Sequence, residues 1–383
     1  MGAFESSAEP GISSGTVLIT GGAGFVGSHL ADELLEGGYR VRVLDNLGEQ
    51  VHGPGNSRPA YLNSDVELIR GDVRDDSVVT RALRGVDAVF HFAAAVGVGQ
   101  SMYEIERYTD VNNRGTAVLL QALSRAPVGR LIVASSMSVY GEGLYHTLDG
   151  QTVAPSGRSL QDLRNADWEL RHQGHPLVPM PTPETKTPAP SSVYALSKYD
   201  QERLSLMIGA AYGMPTVALR FFNIYGTRQA LSNPYTGVLA IFAARYLNRR
   251  PALVFEDGRQ RRDFVSVHDV ATACRLALQV PHIGGHVFNI GSGISISILE
   301  VAHEMARAMG LEQLAPVVTQ QYRVGDIRHC FADVSLAAQM LGYAPRVELS
   351  AGLAELVEWI AGQNALDRVE AATAELAARG LRL

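Results

Sequence analysis

The stretch "TVLITGGAGFVGSHLADELLEGG" at residues 16–38 decides the fold. A β-branched apolar run precedes a glycine-rich turn, and apolar residues at helical spacing come after it, which predicts a strand, a turn and a helix. Gly21, Gly24 and Gly27 have the spacing GxxGxxG. In such a loop the first glycine makes a tight turn, the second lets a pyrophosphate approach the backbone, and the third lets helix and strand pack closely. The alternative is a glycine-rich turn that binds nothing.

Short apolar runs alternate with helical segments along most of the chain. After residues 16–20, the runs that we interpret as strands are 41–45, 66–72, 88–95, 130–136, 216–223 and 286–292. Strands buried on both faces have this composition, and the alternation with helices favours a parallel sheet. The sequence therefore predicts an α/β protein with a Rossmann-type doubly wound parallel sheet and a smaller C-terminal α/β lobe.

Composition shifts predict the domain boundaries. Residues 1–15 are small, acidic and rich in Gly and Ser, and we interpret them as a disordered tail. Residues 16–222 form the predicted dinucleotide-binding domain. The strand and helix rhythm becomes irregular after it, so residues 223–383 are predicted to form the substrate-binding lobe. The strand near residues 286–292 is the exception, because we expect it to return to the first domain.

Two other segments break the regular pattern. Residues 142–183 are polar and rich in Pro and Gly, with at most one short helix near residues 160–163, and a loop this long is usually functional or an insertion. Residues 353–380 have apolar residues at helical spacing and end in a glycine stop signal.

The bulk composition excludes several classes of partner. The net charge of −6 and a pI near 6.0 give no basic surface for nucleic acid or for a membrane. No apolar run reaches the length of a membrane span. Cys274 and Cys330 lie far apart and outside ligand spacing, which predicts neither a disulfide framework nor a zinc site and suits the reducing cytoplasm. We therefore expect a small-molecule partner, and no metal at His146, His172 or His175 in the insertion.

A carboxylate ends the second predicted strand at the distance from the glycine turn where a ribose-binding acid is expected. Asp45, followed by Asn46, can accept hydrogen bonds from the adenosine ribose hydroxyls. A carboxylate there repels a 2′-phosphate, which favours NAD over NADP. Asp72 and Val73 end the third strand and are placed to meet the adenine edge. For Asp72 the role of a helix N-cap is an equal alternative.

Tyr194 and Lys198, in "SSVYALSKYDQE" at residues 191–202, lie one helical turn apart and share a helix face. A free tyrosine, with a pKa of about 10, is a poor base at neutral pH. A cation ~4 Å away at an effective dielectric of ~20 contributes roughly 4 kcal/mol, or about 3 pKa units. We therefore expect Lys198 and an oxidised nicotinamide to bring the phenol near 7, where a general base works best.

Ser135 and Ser136 end a strand at the edge of the sheet where cofactor clefts form. Turn chemistry or a helix cap is the alternative for these serines, and a lone YxxxK pair is common on amphipathic helices. The glycine loop, the ribose acid, the serines and the YxxxK pair together favour an enzyme.

With these motifs together, the chain resembles the extended short-chain dehydrogenase/reductase family, in its nucleotide-sugar epimerase and dehydratase branch. The resemblance runs from about residue 16 to residue 383. Its motifs are "TGGAGFVG", "LDNL", "GDVRD", "HFAAAVGVGQS", "DVNNRGT", "SSMSVYG", "YALSK", "LRFFNIYG", "RRDFVSVHDV", "FNIGSG" and "YRVGDIRH". It implies an NAD cofactor, a nucleotide diphosphate sugar as substrate, and a homodimer formed through a helix pair that includes the Tyr194 helix.

The resemblance also implies roles for individual residues. Ser136 hydrogen-bonds the sugar 4-hydroxyl, Tyr194 takes its proton while C4 passes hydride to NAD, and Lys198 holds the nicotinamide ribose. The implied cofactor contacts are Gly21, Gly24, Phe25, Val26, Gly27, Asp45, Asn46, Asp72, Val73, Phe92, Ala93, Ala94, Asn112, Ser135, Tyr194, Lys198 and Phe221. The implied substrate contacts are Val98, Ser136, Ser138, Asn223, Val238, Arg262, Arg323 and Asp326. The arginine fork suits diphosphate oxygens, and a surface salt bridge is the alternative for these arginines and for Arg328.

Members of this family share oxidation at C4 and differ in the later steps of the reaction. A 4,6-dehydratase carries an Asp–Glu pair directly after the strand-end Ser or Thr, where this chain has Met137 and Ser138. Sugar-acid decarboxylases usually have Glu in place of Ser138, and 3,5-epimerases need a Cys or a similar acid, which neither Cys274 nor Cys330 supplies. What remains is a 4-epimerase, which oxidises C4, rotates the ketosugar and returns the hydride to the other face.

Further motifs bear on the identity of the substrate. "VGVGQSMYEIERY", "RQALSNPYTGVLAIF", "FEDGRQRRDF" and "DRVEAATAELAARGL" are similar to the bacterial dTDP-L-rhamnose 4-epimerase group, so we favour a dTDP-6-deoxyhexose. Val96 stands where UDP-galactose 4-epimerases have Lys. The alternatives are a UDP-glucose or UDP-glucuronate 4-epimerase, a UDP-sugar-acid oxidoreductase or decarboxylase, and a dinucleotide-sensing binding protein. A sensor has no need for intact Ser136, Tyr194 and Lys198.

Overall fold

The strand, turn and helix at residues 16–38 form the centre of the fold. The structure, a computed structural model, describes residues 9, 11–55, 57–235, 237–363 and 366–382. The strands are β1 (Thr16–Thr20), β2 (Arg40–Asp45), β3 (Glu67–Arg70), β4 (Ala88–His91), β5 (Arg130–Ser136), β6 (Leu144–His146), β7 (Thr152–Val153), β8 (Arg171–His172), β9 (His175–Pro176), β10 (Val178–Met180), β11 (Thr216–Phe221), β12 (Asn223–Tyr225), β13 (Leu253–Val254), β14 (Arg261–Arg262), β15 (Phe264–Ser266), β16 (Val287–Ile290), β17 (Ile296–Ser297) and β18 (Val317–Val318).

The helices alternate with the strands of the first half and dominate the second. They are α1 (Phe25–Glu36), α2 (Glu49–His52), α3 (Asp76–Ala82), α4 (Val98–Ser101), α5 (Ile105–Tyr108), α6 (Gly115–Arg125), α7 (Leu160–Arg164), α8 (Val193–Ala211), α9 (Val238–Leu247), α10 (Val267–Gln279), α11 (Ile298–Ala308), α12 (Ser335–Leu341), α13 (Leu349–Ala361) and α14 (Val369–Ala378). A π-helical turn at Thr109–Arg114 joins α5 to α6, and a 3₁₀ turn at Met137–Tyr140 comes after β5.

The main sheet has seven strands in the order β16-β11-β5-β4-β1-β2-β3, and every neighbouring pair is parallel. The chain progresses to one side from β1 and to the other from β4, so a crevice opens between the carboxyl ends of these two strands. Val17 and Ile19 pack into one core, and Leu18 packs into the core on the opposite face. The doubly wound parallel sheet predicted from the sequence is therefore confirmed.

A second core lies beyond the carboxyl end of the sheet. Helices α9, α11 and α13 pack around it with the two-stranded pairs β12–β15 and β13–β18. Between these elements the chain returns to the main sheet, where β16 pairs with β11. A cleft lies between the two cores. Among the described residues, no helix has both the length and the apolar character needed to cross a membrane.

The ends of the chain differ from expectation. Residues 1–8 and 10 of the predicted disordered tail lie outside the described residues, but residues 11–15 are packed against the sheet domain. Ile12 donates its N–H to Leu278 O at 3.0 Å and accepts from the Tyr39 hydroxyl at 2.7 Å. The helix predicted over residues 353–380 is divided into α13 and α14, because the first helix ends at its C-cap, Gly362.

The insertion also contains more regular structure than its sequence indicates. The short helix near residues 160–163 is confirmed as α7, which starts at a capping box of Ser159 and Asp162. Strands β6, β7 and β10 form an antiparallel sheet, and β8 and β9 form a hairpin. These strands are two or three residues long, too short to give an alternating pattern.

Candidate active site

The glycine turn leaves an open path to the first turn of α1. A Cβ on Gly21, which has a φ of 71°, would lie 2.8 Å from Ala93 N, and one on Gly27 would lie 2.5 Å from Gly22 Cα. Close packing therefore requires both glycines. Gly24 is different, because its Cβ would meet only Gly21 O at 3.3 Å, and as N-cap it gives α1 no side-chain hydrogen bond. The N–H groups at the start of α1, beginning with Phe25 and Val26, are thus free to face an anion, as the pyrophosphate of NAD requires.

Asp45 holds the glycine turn from the end of β2. Its carboxylate is buried and accepts hydrogen bonds from Ala23 N at 3.0 Å and from Leu47 N at 2.9 Å. Oδ1 also faces His52 Nε2 at 3.6 Å, and Oδ2 keeps a further acceptor position for a ribose hydroxyl. The residues around the turn therefore fit the adenosine half of NAD.

Asp72 does not cap a helix, so that alternative is wrong. The N-cap of α3 is Asp75, which accepts from Ser77 N and Val78 N. Hydrogen bonds from Arg74 are the main cause that lowers the pKa of Asp72 to about 2, and Asn46 adds a further hydrogen bond at 3.2 Å.

Val73 and Asn112 are buried beside the predicted cofactor groove. Val73 packs so closely against α6 that a Cβ on Gly115 would lie 2.6 Å from its Cγ1. The side-chain amide of Asn112 accepts from Ala95 N at 2.7 Å and donates to Ser197 Oγ at 2.9 Å. It thereby connects the loop after β4 to α8, a positioning contact that the sequence does not reveal.

The remaining predicted cofactor residues lie where β4, β5 and β11 end. Phe92 and Phe221 meet edge to face with ring centroids 5.9 Å apart, and Ala93, followed by Ala94, lies against Gly21. Ser135 instead donates its hydroxyl to the buried Glu202 at 2.6 Å. Its side chain therefore connects β5 to α8.

The helix α8 and the end of β5 bring Ser136 and Tyr194 together. Ser192 caps α8 by accepting from Ala195 N, and Tyr194 N donates to Ser101 Oγ at 3.0 Å. Ser136 and Tyr194 both line the same cleft. Burial raises the pKa of the Tyr194 phenol, and the nearby Ser136 hydroxyl opposes that shift.

Lys198 is not the permanent cation expected from the sequence. Its Nζ is buried and donates to Gln201 Oε1 at 2.8 Å. Burial lowers the pKa of Lys198 to about 7, although the nearby Glu202 carboxylate opposes the shift. In the protein without cofactor, desolvation acts on both Tyr194 and Lys198. The pKa of Tyr194 is therefore raised, and the lowering expected from a charged Lys198 does not occur.

The hydrogen bonds behind Lys198 determine the orientation of Gln201. Thr116 donates its hydroxyl to Asn112 O at 2.6 Å, so its oxygen can only accept from its other partners. Those partners are Gln201 Nε2 at 2.7 Å and His91 Nε2 at 2.8 Å. Both atoms must therefore carry hydrogen, and the carbonyl oxygen of Gln201 is the atom that faces Lys198.

The same hydrogen bonds determine the tautomer of His91. With its proton on Nε2, the ring accepts at Nδ1 from the Thr20 hydroxyl at 2.8 Å. Burial, aided by the charge of Lys198, lowers the pKa of His91 to about 3, so the ring is neutral. Thr20 directly precedes the glycine turn, and a continuous buried chain of hydrogen bonds thus connects that turn to Lys198. His91 and Gln201 lie inside the quoted stretches "HFAAA" and "YDQE", but the sequence does not otherwise indicate their role.

A cleft of about 340 Å³ opens beside Tyr194 and runs toward the second core. The structure brings every predicted substrate residue to this cleft, namely Val98, Ser136, Ser138, Asn223, Val238, Arg262, Arg323 and Asp326. Asn223 Oδ1 is buried without a hydrogen-bond partner among the described residues, which leaves it available as an acceptor.

The two arginines at the cleft are held differently. Arg262 donates to the carbonyls of Ile327 at 2.6 Å and Arg328 at 2.9 Å, which fixes its guanidinium in place. Arg323 forms an ion pair with Asp326 at 2.9 Å and stacks over the Phe255 ring, 4.6 Å from its centroid. Both arginines line the cleft, and the charge of Arg323 is paired with Asp326.

Arg328 is fully buried, so a surface salt bridge is wrong for this residue. Its guanidinium pairs with Glu256 at 3.0 Å and Asp257 at 2.7 Å, and with Glu169 of the insertion. A second insertion residue, Arg158, pairs with Glu256 at 2.8 Å.

Arg158 also reaches the segment that lines the cleft. It donates to Asp326 O at 3.3 Å and lies over the Tyr322 ring, 5.6 Å from its centroid. The insertion is therefore fastened to the segment that carries Arg323 and Asp326. Within the described part of the chain, no group of three or more His, Cys, Asp or Glu side chains has an arrangement that could hold a metal ion.

Comparisons with known proteins agree with this geometry. Residues 17–159 and 172–291 match the model of the NAD dependent epimerase/dehydratase family. The chain is 36% identical to a dTDP-L-rhamnose 4-epimerase of Burkholderia thailandensis over 356 residues, which is 92% of this chain and 96% of that protein.

Solved structures of sugar-nucleotide epimerases have the same fold. The UDP-glucose 4-epimerase of Thermotoga maritima, solved with UDP-glucose, is 31% identical with a TM-score of 0.73, and the match covers 90% of this chain and 98% of that one. The UDP-glucuronic acid 4-epimerase of Bacillus cereus, solved with UDP-glucuronic acid and NAD, is 29% identical with a TM-score of 0.72 and coverage of 90% and 99%.

Proposed function

Because the chain belongs to the NAD dependent epimerase/dehydratase family, we propose that it is a nucleotide-sugar 4-epimerase that uses bound NAD. Residues 16–222 would hold the cofactor, and residues 223–383 would supply most of the contacts to the nucleotide sugar. The glycine turn, Asp45 and the free start of α1 fit the cofactor, and the cleft residues fit a diphosphate sugar.

The observation that carries the proposal is the small set of ionisable groups in the cleft. Among its described lining residues they are Tyr194, Tyr235, Arg262, Arg323 and Asp326. Tyr235 shares a hydrogen bond with Tyr103 at 2.6 Å, and Asp326 is paired with Arg323. Loss of water across C5 and C6 needs a further acid and base beside the sugar, and only Tyr194 stands free to move a proton.

The neutral residues after Ser136 support the same conclusion. Met137 is buried in a small apolar cluster, and the Ser138 hydroxyl lies 3.1 Å from that of Ser136. Neither side chain can exchange protons with C5 or C6. The reaction that needs no further group is inversion at C4.

The chain's own residues divide the work at C4. Ser136 orients the 4-hydroxyl toward Tyr194, which takes the proton from the oxygen and later returns it. When bound, NAD supplies an acceptor for the C4 hydride, returns that hydride and adds positive charge beside the phenol. Lys198, whose pKa burial lowers to about 7, donates to Gln201 and would donate a further hydrogen bond to the cofactor without imposing a fixed charge.

For the substrate, we propose a dTDP-6-deoxyhexose such as dTDP-L-rhamnose. The similarity to the Burkholderia thailandensis protein over almost its entire length supports this choice. Val96, half-exposed at the cleft, places no charge where UDP-galactose 4-epimerases have Lys. UDP-glucose and UDP-glucuronate remain the competing substrates.

The test is a substrate panel without added cofactor. Purified protein is incubated with dTDP-L-rhamnose, dTDP-glucose, UDP-glucose and UDP-glucuronate, and the products are identified by NMR. We expect a C4-inverted product from dTDP-L-rhamnose and a loss of at least about 10²-fold in Tyr194→Phe, because the phenol is the group that moves the proton. Inversion at the wild-type rate in Tyr194→Phe, a dehydrated or decarboxylated product, or no inversion of any substrate would contradict the proposal.

A further inference from the structure

Helix α14 covers one side of the cleft that contains Tyr194. The cleft-lining residues of this helix and of the turn after it are Val369, Ala372, Thr373, Leu376 and Leu381. All are uncharged, and the one hydroxyl among them, on Thr373, donates to Val369 O at 2.6 Å. The acidic residues of the helix face away, since Glu370 and Glu375 form exposed ion pairs with arginines.

Both ends of α14 are fastened to the rest of the protein. Before the helix, the buried Asp367 accepts from Arg245 at 3.3 Å and from Arg250 at 3.4 Å. After the helix, Leu381 O accepts from Val324 N at 3.0 Å. The guanidinium of Arg379 lies 4.3 Å from the centroid of the Tyr103 ring. These contacts hold α14 in place as one wall of the cleft.

Leu376 packs beside α4, the short helix that contacts the start of the Tyr194 helix. Its methyl groups lie 3.6 Å from the position of a Cβ built on Gly99, and Gly99 is two residues from Ser101, which accepts a hydrogen bond from Tyr194 N. The 4-hydroxyl of a substrate has to reach Tyr194, which also brings the carbons on either side of C4, namely C3 and C5, close to α4 and α14.

Four of the side chains that line this part of the cleft are apolar. Val96, Val98 and Met102 from the loop after β4 line the cleft together with Leu376. The cationic residues that line the described cleft, Arg262 and Arg323, belong to other segments, and the segment with Arg323 joins the end of the α14 wall through Val324 N and Leu381 O. These four side chains offer no hydrogen-bond donor to a carboxylate and no hydrogen-bond partner to a hydroxyl.

Resting on the proposed function, we infer that α14 and residues 96–102 form an apolar pocket that receives the C5 methyl group of a nucleotide-linked 6-deoxyhexose. A methyl group buries apolar surface there without leaving a polar atom unpaired. The hydroxyl of the matching hexose loses hydrogen bonds to water, and an apolar pocket discriminates against such a group by about 10- to 100-fold. A carboxylate at C6 is disfavoured further, because no cation of the wall compensates its burial.

The test compares two substrates that differ only at C6, dTDP-L-rhamnose and dTDP-L-mannose. We expect wild-type kcat/KM to favour the 6-deoxy sugar by about 10- to 100-fold. Leu376→Gln introduces a hydrogen-bonding group at the wall and should reduce that preference at least about fivefold. Leu366→Gln is the matched control, since Leu366 lies in the same terminal segment, is 62% exposed and does not line the cleft.

A second variant keeps the inference testable if Leu376→Gln does not fold. Met102→Gln changes the opposite wall and leaves α14 intact, and it should reduce the preference in the same direction, while thermal unfolding verifies that each variant is folded. An unchanged preference in folded Leu376→Gln and Met102→Gln would overturn the inference and leave the 4-epimerase proposal standing. Absence of any C4 inversion by the wild-type protein would overturn the proposed function and, with it, this inference.

Discussion

At the scale of single residues, the choice of lysine at position 198 has a physical meaning. The chain has only two lysines, Lys186 and Lys198, among 33 basic Lys and Arg residues, and both are buried. Arginine stays protonated in any protein environment, whereas a buried lysine can lose its proton near neutral pH. Lys198 Nζ donates to the neutral carbonyl of Gln201. Because burial disfavours the charged amine, the pKa of Lys198 is lowered to about 7.

We predict that this pKa can be measured directly by NMR. Protein labelled with ¹³C at lysine Cε should give two resonances, and Lys186→Arg assigns the one that belongs to Lys198. The Lys198 resonance should titrate with a midpoint near 7 in the cofactor-free protein, because its amine is desolvated. A midpoint above about 10, the value of a free lysine, would contradict the burial argument.

The same shift determines how Lys198 affects stability. The folded-state pKa lies below the unfolded value of 10.5, so between about pH 7 and 10.5 the unfolded state binds more protons. The contribution of Lys198 to the free energy of unfolding therefore rises with pH across this window and is least favourable below pH 7. A Lys198→Met variant should lack this component of the pH dependence.

The sequence predicted the reactive residues better than their neighbours. Spacing alone places Tyr194 and Lys198 on one helix face, and the position of Ser136 at a strand end is local as well. Gln201 and His91 act through hydrogen bonds to Thr116 of α6, which connect α8 to β4, a proximity that only the folded protein creates. The lowered pKa of Lys198 results from burial, which spacing does not reveal.

At the scale of elements, the insertion at residues 142–183 supports the substrate cleft through buried charges. Glu142 accepts from Arg328 N at 2.7 Å and His329 N at 3.2 Å. Arg158 joins Glu256 to the backbone of Asp326. Trp168, also from the insertion, packs with Tyr322 in a small apolar cluster.

We predict that Arg158→Met weakens substrate binding more than turnover. Loss of one partner from a buried ion pair costs about 3 kcal/mol, and the segment with Arg323 and Asp326 loses a fixed contact. KM for the nucleotide sugar should rise several-fold while kcat changes less than about twofold, as measured by steady-state kinetics and thermal unfolding. Arg171→Met is the control, because Arg171 forms an exposed ion pair with Asp167 in the same insertion. Equal effects of both substitutions would contradict the assignment.

The elements of the insertion were hard to predict for a physical reason. Its strands are short, and its stability comes from ion pairs with residues far away in the sequence, such as Arg158 with Glu256. The central strands β1, β4, β5 and β11, in contrast, are buried along their whole length. Local pattern therefore predicts the sheet and leaves the insertion undetermined.

At the scale of the whole molecule, apolar side chains remain exposed on α8 and α5. Leu196 and Met207 are 57% and 59% exposed on one face of α8, and Ile105 of the neighbouring α5 is 54% exposed. Exposed apolar side chains grouped on adjacent helices are typical of an interface. These residues agree in position with the homodimer that the family resemblance implies.

We predict a homodimer that Met207→Glu weakens. A buried, unpaired carboxylate at the interface is unfavourable, so analytical ultracentrifugation should detect more monomer in this variant than in the wild type. Leu148→Glu is the control, because Leu148 is 72% exposed in the insertion, away from this face. A monomeric wild-type protein, or the same dimer fraction in all three proteins, would contradict the prediction.

For the whole molecule, the sequence predicts the fold of the main sheet. It does not predict that α14 returns to form one wall of the cleft. The order of seven parallel strands is consistent with alternating runs and crossover rules. The C-terminal helix α14 was predicted as a helix, but its return across the cleft depends on contacts of Asp367, Arg379 and Leu381 with distant residues. Long-range contacts of this kind leave no local signal.

The most direct test of the proposed chemistry tracks the hydrogen at C4 during inversion. The substrate found by the panel is synthesised with deuterium at C4 and incubated in ordinary water without added cofactor, and the product is analysed by NMR and mass spectrometry. If C4 is oxidised and reduced by one retained cofactor while Tyr194 moves only the hydroxyl proton, the inverted product keeps its deuterium. An inverted product with protium at C4 would contradict this chemistry, because the hydrogen would then have exchanged with water.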